Sequence, residues 1–485
     1  MRALLACVLF ALAPLAGIAA PATGAARTLP AEVRDALARA GVPLTAASVV
    51  VEPVDGQAPL VSHHAGNLVN PASVMKLVTT YAALDLLGPA FVFHTDVLLA
   101  GELSGGTLNG DLVIRGGGDP KLTAERVWQL LHELRSRGLR EIRGDIVIDR
   151  GYFAPVAYDP ARFDNDPRRA YTVGPDAFLV NFQVVDFHFI PDGDGVRVIG
   201  EPDLPNVEIA SRIRLTKDPC GSWRRGLQHD ITEDGLIATA VFSGRYPADC
   251  GEKSWPLALF DGPRFTEAVL RWIWSESGGV LRGRVRPGPT PANATLFLRF
   301  ESEPLANLVR DMNKFSNNVM ARQVFLALSA ERGAPGEARA SETIVREWLA
   351  TKAVEPAGLA IENGAGLSRD DRISAAGLAA ILRSAWMSPV MPELAASMPV
   401  FATDGTLKTR RGAGATGQAH LKGGTLNGVQ SIAGYELDRN GHRWIVVMIL
   451  NHPNANAAQP AIDALVEWVH DRPEDKRVKS TAPVR

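Results

Sequence analysis

The sequence predicts a mixed α/β domain interrupted by a large β-rich insertion. Three observations carry this reading. Residues 28–87, and those from about 261 onward, alternate strand patterns with helical patterns. The stretch between them, about 93–248, is rich in short alternating strands broken by Gly and Asp. A chain of 485 residues also exceeds one ordinary core, leaving room for about three units at roughly 150 residues each.

The elements follow in order. Arg2 and the apolar run Ala3 to Ala13, then Pro14 and small residues, predict a secretory signal peptide over residues 1–22. Ala20-Pro21-Ala22 fits a cleavage site, with any cut from 19 to 26 allowed. Leu4-Leu5-Ala6-Cys7 lies too near Met1 to be a lipoprotein signal. Ala47 to Glu52 is a strand by its β-branched run. Asn70-Pro71-Ala72-Ser73 precedes a helix that runs to about Leu87, with Gly88-Pro89 as its stop. In the insertion, Leu108 to Arg115 and Asp145 to Asp149 read as strands. Thr123 to Gly138 reads as a helix with Val127, Leu130, Leu131 and Leu134 on one face. Phe265 to Trp274 and Leu305 to Leu328 are amphipathic, and no solenoid repeat is present. Strands at Ala419 to Leu421, Val429 to Glu436 and Trp444 to Leu450 precede a last helix, Pro460 to Val469. The expected division is 27–95 and 256–470 for one catalytic domain, 96–255 for two small inserted domains, and 471–485 for a disordered tail.

Composition excludes several classes. Lys+Arg is 51 against 53 Asp+Glu, so the basic surplus of a nucleic-acid binder is missing. Three cysteines are too few for a disulfide-dense scaffold or a Cys-rich zinc module. If Cys7 leaves with the signal, Cys220 and Cys250 remain; one disulfide is expected, with two buried thiols as the alternative. No later segment is apolar enough to span a membrane, so an exported, soluble chain is expected. Neither cofactor nor metal is expected. Gly412-Ala413-Gly414-Ala415-Thr416-Gly417 matches a dinucleotide fingerprint but lacks the strand before it and the helix after it. His132-Glu133 has no second His at zinc-protease spacing, and His63-His64 shows no ligand pattern.

Three short motifs carry chemistry. Ser73-Val74-Met75-Lys76 puts a hydroxyl and an amine on one helix face. A serine needs a base to become a nucleophile, and a lysine whose pKa is lowered by burial can be that base. The helix start adds backbone N–H donors. Ser316-Asn317-Asn318 is the single Ser-x-Asn of the chain; it offers a second hydroxyl for proton relay and an amide to hold substrate. Lys422-Gly423-Gly424-Thr425 ends a strand, where bare backbone admits a ligand along the edge beside a cation. Taken singly, each also reads as a surface pair, a cap or a turn. Their order along the chain does not.

With these motifs in this order, the sequence resembles the D-alanyl-D-alanine carboxypeptidase/endopeptidases, the class C low-molecular-mass penicillin-binding proteins. The 239 residues between Lys76 and Ser316 match the insertion typical of that family. So do Gly116-Gly117-Gly118-Asp119-Pro120, Ile142-Arg143-Gly144-Asp145, Gly364 to Arg369, Asp404-Gly405-Thr406-Leu407 and Ala433-Gly434-Tyr435. The resemblance implies a penicillin-binding transpeptidase-like (serine β-lactamase-like) domain, with an antiparallel sheet flanked by helices. It implies Ser73 as nucleophile, Lys76 as its base, and Ser316, Asn318 and Lys422 as partners. Backbone N–H groups of Ser73 and Thr425 would form the oxyanion hole. Gly424, Thr425 and Arg369 would bind substrate. Asp149 and Phe153 stand where the family places residues facing the cleft, although a turn Asp and a core Phe remain alternatives. The implied substrate is the D-Ala-D-Ala end or the D-Ala–diaminopimelate cross-link of peptidoglycan peptides, in the periplasm, with β-lactams as covalent inhibitors.

Two departures stand out. Gly423 occupies the place of the family's usual Thr, and Asn363-Gly364-Ala365 replaces Asp-Gly-Ser. Losing one hydrogen bond to a charged group costs about 1.5–3 kcal/mol, which weakens turnover without changing its class. The competing readings are a β-lactamase-like hydrolase and a catalytically impaired wall-binding protein.

Overall fold

The computed structural model describes residues 28–473. The expected signal peptide and the tail beyond Pro473 lie outside the described residues. The site hangs on a five-stranded, wholly antiparallel sheet in the order Ala419–Leu426, Val429–Leu437, Arg443–Asn451, Ala47–Pro53 and Val61–His63. Its inner strands are apolar on both faces because helices cover both. Strand Arg443–Asn451 sends Ile445, Val447 and Ile449 to one core and Trp444, Val446, Met448 and Leu450 to the other. On the first face lie the helices Lys76–Leu86, Leu305–Lys314, Asn318–Ala330 and Ala375–Trp386. On the second lie Ala31–Arg39 and Gln459–His470. Helix Lys76–Leu86 is buried nearly all round, which places its first residue deep in the protein.

Ala419–Leu426 is an edge strand. The segment around Pro399–Phe401 covers its first residues, through Phe401 N–H to Ala419 O at 2.9 Å and Leu421 N–H to Pro399 O at 2.9 Å. This strand runs past the expected end at Leu421, because Lys422, Gly423 and Gly424 stay in register with Ala433, Ile432 and Ser431.

Two expected helices are broken where the chemistry sits. Ser73 lies in a 3-10 turn, Ala72–Met75, and the α-helix begins only at Lys76. The predicted helix from Leu305 to Leu328 is two helices, Leu305–Lys314 and Asn318–Ala330. Ser316 interrupts it with φ of 55°, and the Asn317 side chain caps the second helix by accepting from Met320 N–H at 3.0 Å.

The insertion is larger than its expected 96–255. Strand His94–Ser104 opens it and Thr295–Glu301 closes it, the two pairing antiparallel. Helix Gly262–Glu276 also belongs to it, through Phe265, Val269, Ile273 and Trp274. The second catalytic segment therefore starts near Glu301. Periodicity gives an element's type but not the core it joins. The insertion contains two sheets, of seven and six strands, and one apolar core runs through both instead of one core in each. Cys220 and Cys250 are joined by a disulfide with their Cα atoms 4.8 Å apart, beyond the ends of the parallel neighbours Val207–Thr216 and Ile237–Pro247. The first three residues of the expected tail, Asp471 to Pro473, are described, and the Arg472 guanidinium packs over the Trp444 and Trp468 rings at 4.9 and 5.3 Å. The Gly-rich loop at 412–417 cradles the protein's own anion, since Ala413 and Gly414 N–H donate to the Glu467 carboxylate at 2.7 and 3.0 Å. Among the described residues no helix is long and apolar enough to cross a membrane.

The shared core makes a testable statement. Phe187→Ala, which truncates a fully buried ring in one inserted sheet, should cost about 3–5 kcal/mol. Calorimetry should then show both inserted sheets unfolding in one displaced transition; separate transitions for the two would contradict a common core.

Candidate active site

The serine turn is held from behind. Asn70 Nδ2 donates to Ser368 O at 2.7 Å, and its Oδ1 accepts from Ala72 N–H at 2.9 Å. Asn451 brackets the Asn70 backbone with two bonds of 2.9 Å, and Ser431 Oγ donates to Pro71 O at 2.7 Å. Ala72 is thereby kept at φ of 50°, an uncommon value for a residue with a side chain.

Lys76 is fully buried one turn along. Its Nζ lies 3.1 Å from Ser73 Oγ, 2.6 Å from Asn318 Oδ1 and 2.6 Å from Ala365 O. Burial, followed by the positive charges of Lys422 and Arg322, pushes its pKa well below the ordinary lysine value, with Asp371 opposing. A neutral amine has two N–H groups and one lone pair. The two carbonyl-type oxygens can only accept, so they take the N–H groups. The lone pair is left toward Ser73 Oγ. Across the cleft, Lys422 Nζ donates to Ser316 Oγ at 2.8 Å and to Gly423 O at 2.6 Å. It too is fully buried, and burial brings its pKa down to about 7.

Glycines set the close approaches. A Cβ on Gly424 would lie 2.8 Å from Ser73 N and 2.4 Å from Ser431 Oγ. A Cβ on Gly366, at φ of 74°, would lie 2.0 Å from Ala72 O. At Gly423 a Cβ would meet just Leu407 Cδ2, at an ordinary 3.4 Å. Of the two glycines after Lys422, the second is therefore sterically required and the first is not.

Ser73, Lys76, Ser316, Asn318, Lys422 and Gly424 come together. Thr425 is exposed beside them, its hydroxyl donating to Gln430 Oε1 at 3.0 Å. Arg369 lies at the rim, donating to Asn427 O at 3.1 Å and stacking over Phe163 at 4.8 Å. Two expected residues are elsewhere. The Asp149 carboxylate accepts from Gly151 N–H and from the Thr290 backbone and hydroxyl, closing a turn beside a different recess. Phe153 is buried against Ala177 and Leu326. The turn and core alternatives hold for this pair.

Three contributors escape the motifs. The Ala365 carbonyl has no side-chain signature. Asp371 is fully buried among loop residues, taking Glu362 N–H at 2.8 Å, and burial raises its pKa to about 7. Arg322 follows Asn318 by one helical turn and donates to Tyr158 Oη and Val173 O at 2.6 and 2.7 Å, tying the catalytic helix to the insertion. Its i+4 spacing from Asn318 was the one available signal.

A serine on the 3-10 turn that leads into a buried helix, a lysine at hydrogen-bond distance, a second Ser–Lys pair and an open strand edge define a lysine-assisted serine hydrolase of the penicillin-recognising type. The chain belongs to the D-Ala-D-Ala carboxypeptidase 3 (S13) family, whose model matches residues 29–472, and it is a serine peptidase. It is 29% identical over 454 residues to a D-alanyl-D-alanine carboxypeptidase of Actinomadura sp. (strain R39), covering 89% of this chain and 83% of that one. In structure it resembles penicillin-binding protein 4 of Haemophilus influenzae, with TM-score 0.72, 20% identity and coverage of 90% and 99%. It also resembles a predatory peptidoglycan endopeptidase of Bdellovibrio bacteriovorus, with TM-score 0.53, 14% identity and coverage of 90% and 96%.

Steric demand at the strand edge separates two neighbours. Gly424→Ala should slow acylation by a fluorescent penicillin about 100-fold or more, because it displaces the serine N–H. Gly423→Ala should stay within about threefold of wild type. Equal losses at both positions would contradict the geometry.

Proposed function

We propose that Ser73 is the nucleophile with which this serine DD-peptidase cleaves peptidoglycan stem peptides, at the D-Ala-D-Ala end or at a D-Ala–diaminopimelate cross-link. The observation that carries this reading is the pairing of a buried, low-pKa Lys76 with Ser73 Oγ. Lys76 Nζ takes the hydroxyl proton as Ser73 Oγ bonds to the penultimate D-Ala carbonyl carbon. The oxyanion lies toward the N–H groups of Ser73 and Thr425. The amide C–N bond then breaks. The leaving amine receives a proton through Ser316, which Lys422 contacts. Water hydrolyses the ester and returns the enzyme. β-Lactams acylate the same oxygen. The peptide lies along the open edge of Lys422–Leu426 as an added strand. Lys422 and Arg369 are the cations near that edge for a terminal carboxylate. Export to the periplasm is the compartment this substrate requires, and the N-terminal apolar run supports it.

Two variants test the assignment. Ser73→Ala should abolish both penicillin labelling and D-Ala release. Lys76→Arg puts a permanently protonated guanidinium where a neutral amine must accept the serine proton, so acylation should fall by about 10³-fold or more. Labelling that survives Ser73→Ala would sink the proposal.

The pH response follows from Lys422. It carries its charge below about 7 and loses it as pH rises through that value. Binding of a carboxylate-ended peptide needs the charge. KM for such a peptide should therefore rise by about tenfold per unit above neutrality. KM for the corresponding C-terminal amide should stay flat. Parallel profiles for the two would argue against Lys422 as the carboxylate's cation.

A further inference from the structure

A recess of about 960 Å³ is lined on one side by the catalytic loop and on another by strands of the inserted six-stranded sheet. Phe315, Ser316, Asn317 and Asn318 form one wall. Trp128 of helix Ala124–Ser136, Trp272 of helix Gly262–Glu276, and Tyr171 face it from the insertion. Large apolar side chains left in solvent gather here: Phe315 is 68% exposed, Trp128 48%, Ile199 43% and Tyr171 38%. Such a concentration marks a surface that binds something.

The charge of the lining is one-sided. Glu125, Asp186, Glu201, Asp203 and Glu276 line the recess, and no Lys, Arg or His does so among the described residues. Asp186 and Glu201 are directly opposed on neighbouring antiparallel strands, where like charges disfavour each other. Asp186 Oδ1 is buried and has no hydrogen-bond partner. The nearby cations offset this charge only in part. His188 lies between Glu201 at 3.3 Å and Glu252 at 3.0 Å. Arg224 donates to Ser254 O at 3.0 Å and packs over the Trp223 and Trp255 rings. Lys121 pairs with Glu303 and Asp311. Aromatic faces combined with an excess of carboxylates recognise an ammonium group and repel a carboxylate.

We propose that this recess is a subsite for an amine-bearing arm of a cross-linked or branched wall peptide, selecting arms whose carboxylates are masked as amides. The proposal rests on the DD-peptidase reading above, since it takes the catalytic loop as the point where the arm enters.

The test uses the full chain and three synthetic substrates. One is a diacetylated Lys-D-Ala-D-Ala tripeptide with no arm. Two are branched peptides with the same scissile end, one arm carrying a free amine and a carboxamide, the other an acetylated amine and a free carboxylate. For wild type at low salt, KM should be about tenfold lower for the cationic arm, with kcat little changed. That preference should vanish in D186N/E201Q and shrink in W128A, a surface substitution. Tripeptide turnover and penicillin labelling of Ser73 should stay unchanged in both. The cationic arm peptide alone, titrated into Ser73→Ala by calorimetry, should bind, and D186N/E201Q on that background should remove the binding. No preference between arms, or a preference that survives both variants, would overturn the subsite. If wild type fails to cleave the tripeptide, the DD-peptidase reading fails, and calorimetry still decides whether the recess holds an amine.

Discussion

Lys76 is a primary amine with no exposure to solvent, held by one hydroxyl and two carbonyl-type oxygens. An isolated ammonium in that position is costly, so the site favours the neutral form and leaves a lone pair on the serine. Lys422 adds a second buried amine whose charge works in the same direction. Much of the surrounding structure serves this arrangement. The helix that carries Lys76 is buried on nearly every side. The break at Ser316 lets Asn318 start a new helix pointing at the amine. Thr79 Oγ1 donates to Gly364 O at 2.6 Å, which pins the loop that presents the Ala365 carbonyl.

The edge strand imposes the second constraint. Its first residues are covered, and the remainder stays open beside the serine. Gly424 is forced by the nearness of Ser73 N, while Gly423 has room for a side chain it lacks. The hydroxyl missing at 423 is not supplied by Thr425, which is bonded to Gln430. In the proposed binding of a terminal carboxylate, this edge therefore offers charge more than a hydroxyl.

Much of the site was legible from the order of three motifs, because each supplies a side chain whose chemistry is distinctive. Asp149 and Phe153 were misplaced because both residue types also serve turns and cores, and the sequence does not say which neighbour a side chain meets. The Ala365 carbonyl was invisible, as backbone groups look alike in any sequence. The strands of the catalytic sheet were readable from apolar runs. The insertion's far boundary was not: the helix Gly262–Glu276 looks the same whichever core receives its apolar face. The literal dinucleotide motif forms a loop whose Ala413 and Gly414 N–H groups donate to Glu467.

The chain has ten lysines among 485 residues, which makes a direct observation of the base feasible. With ¹³C-labelled lysine side chains, NMR titration of the folded protein should resolve Lys76 from the exposed lysines, assigned through Lys76→Arg. The account predicts that the Lys76 signal is that of a neutral amine at neutral pH and titrates well below the others. A Lys76 that stays protonated and titrates together with the exposed lysines near 10.5 would contradict its role as the base for Ser73.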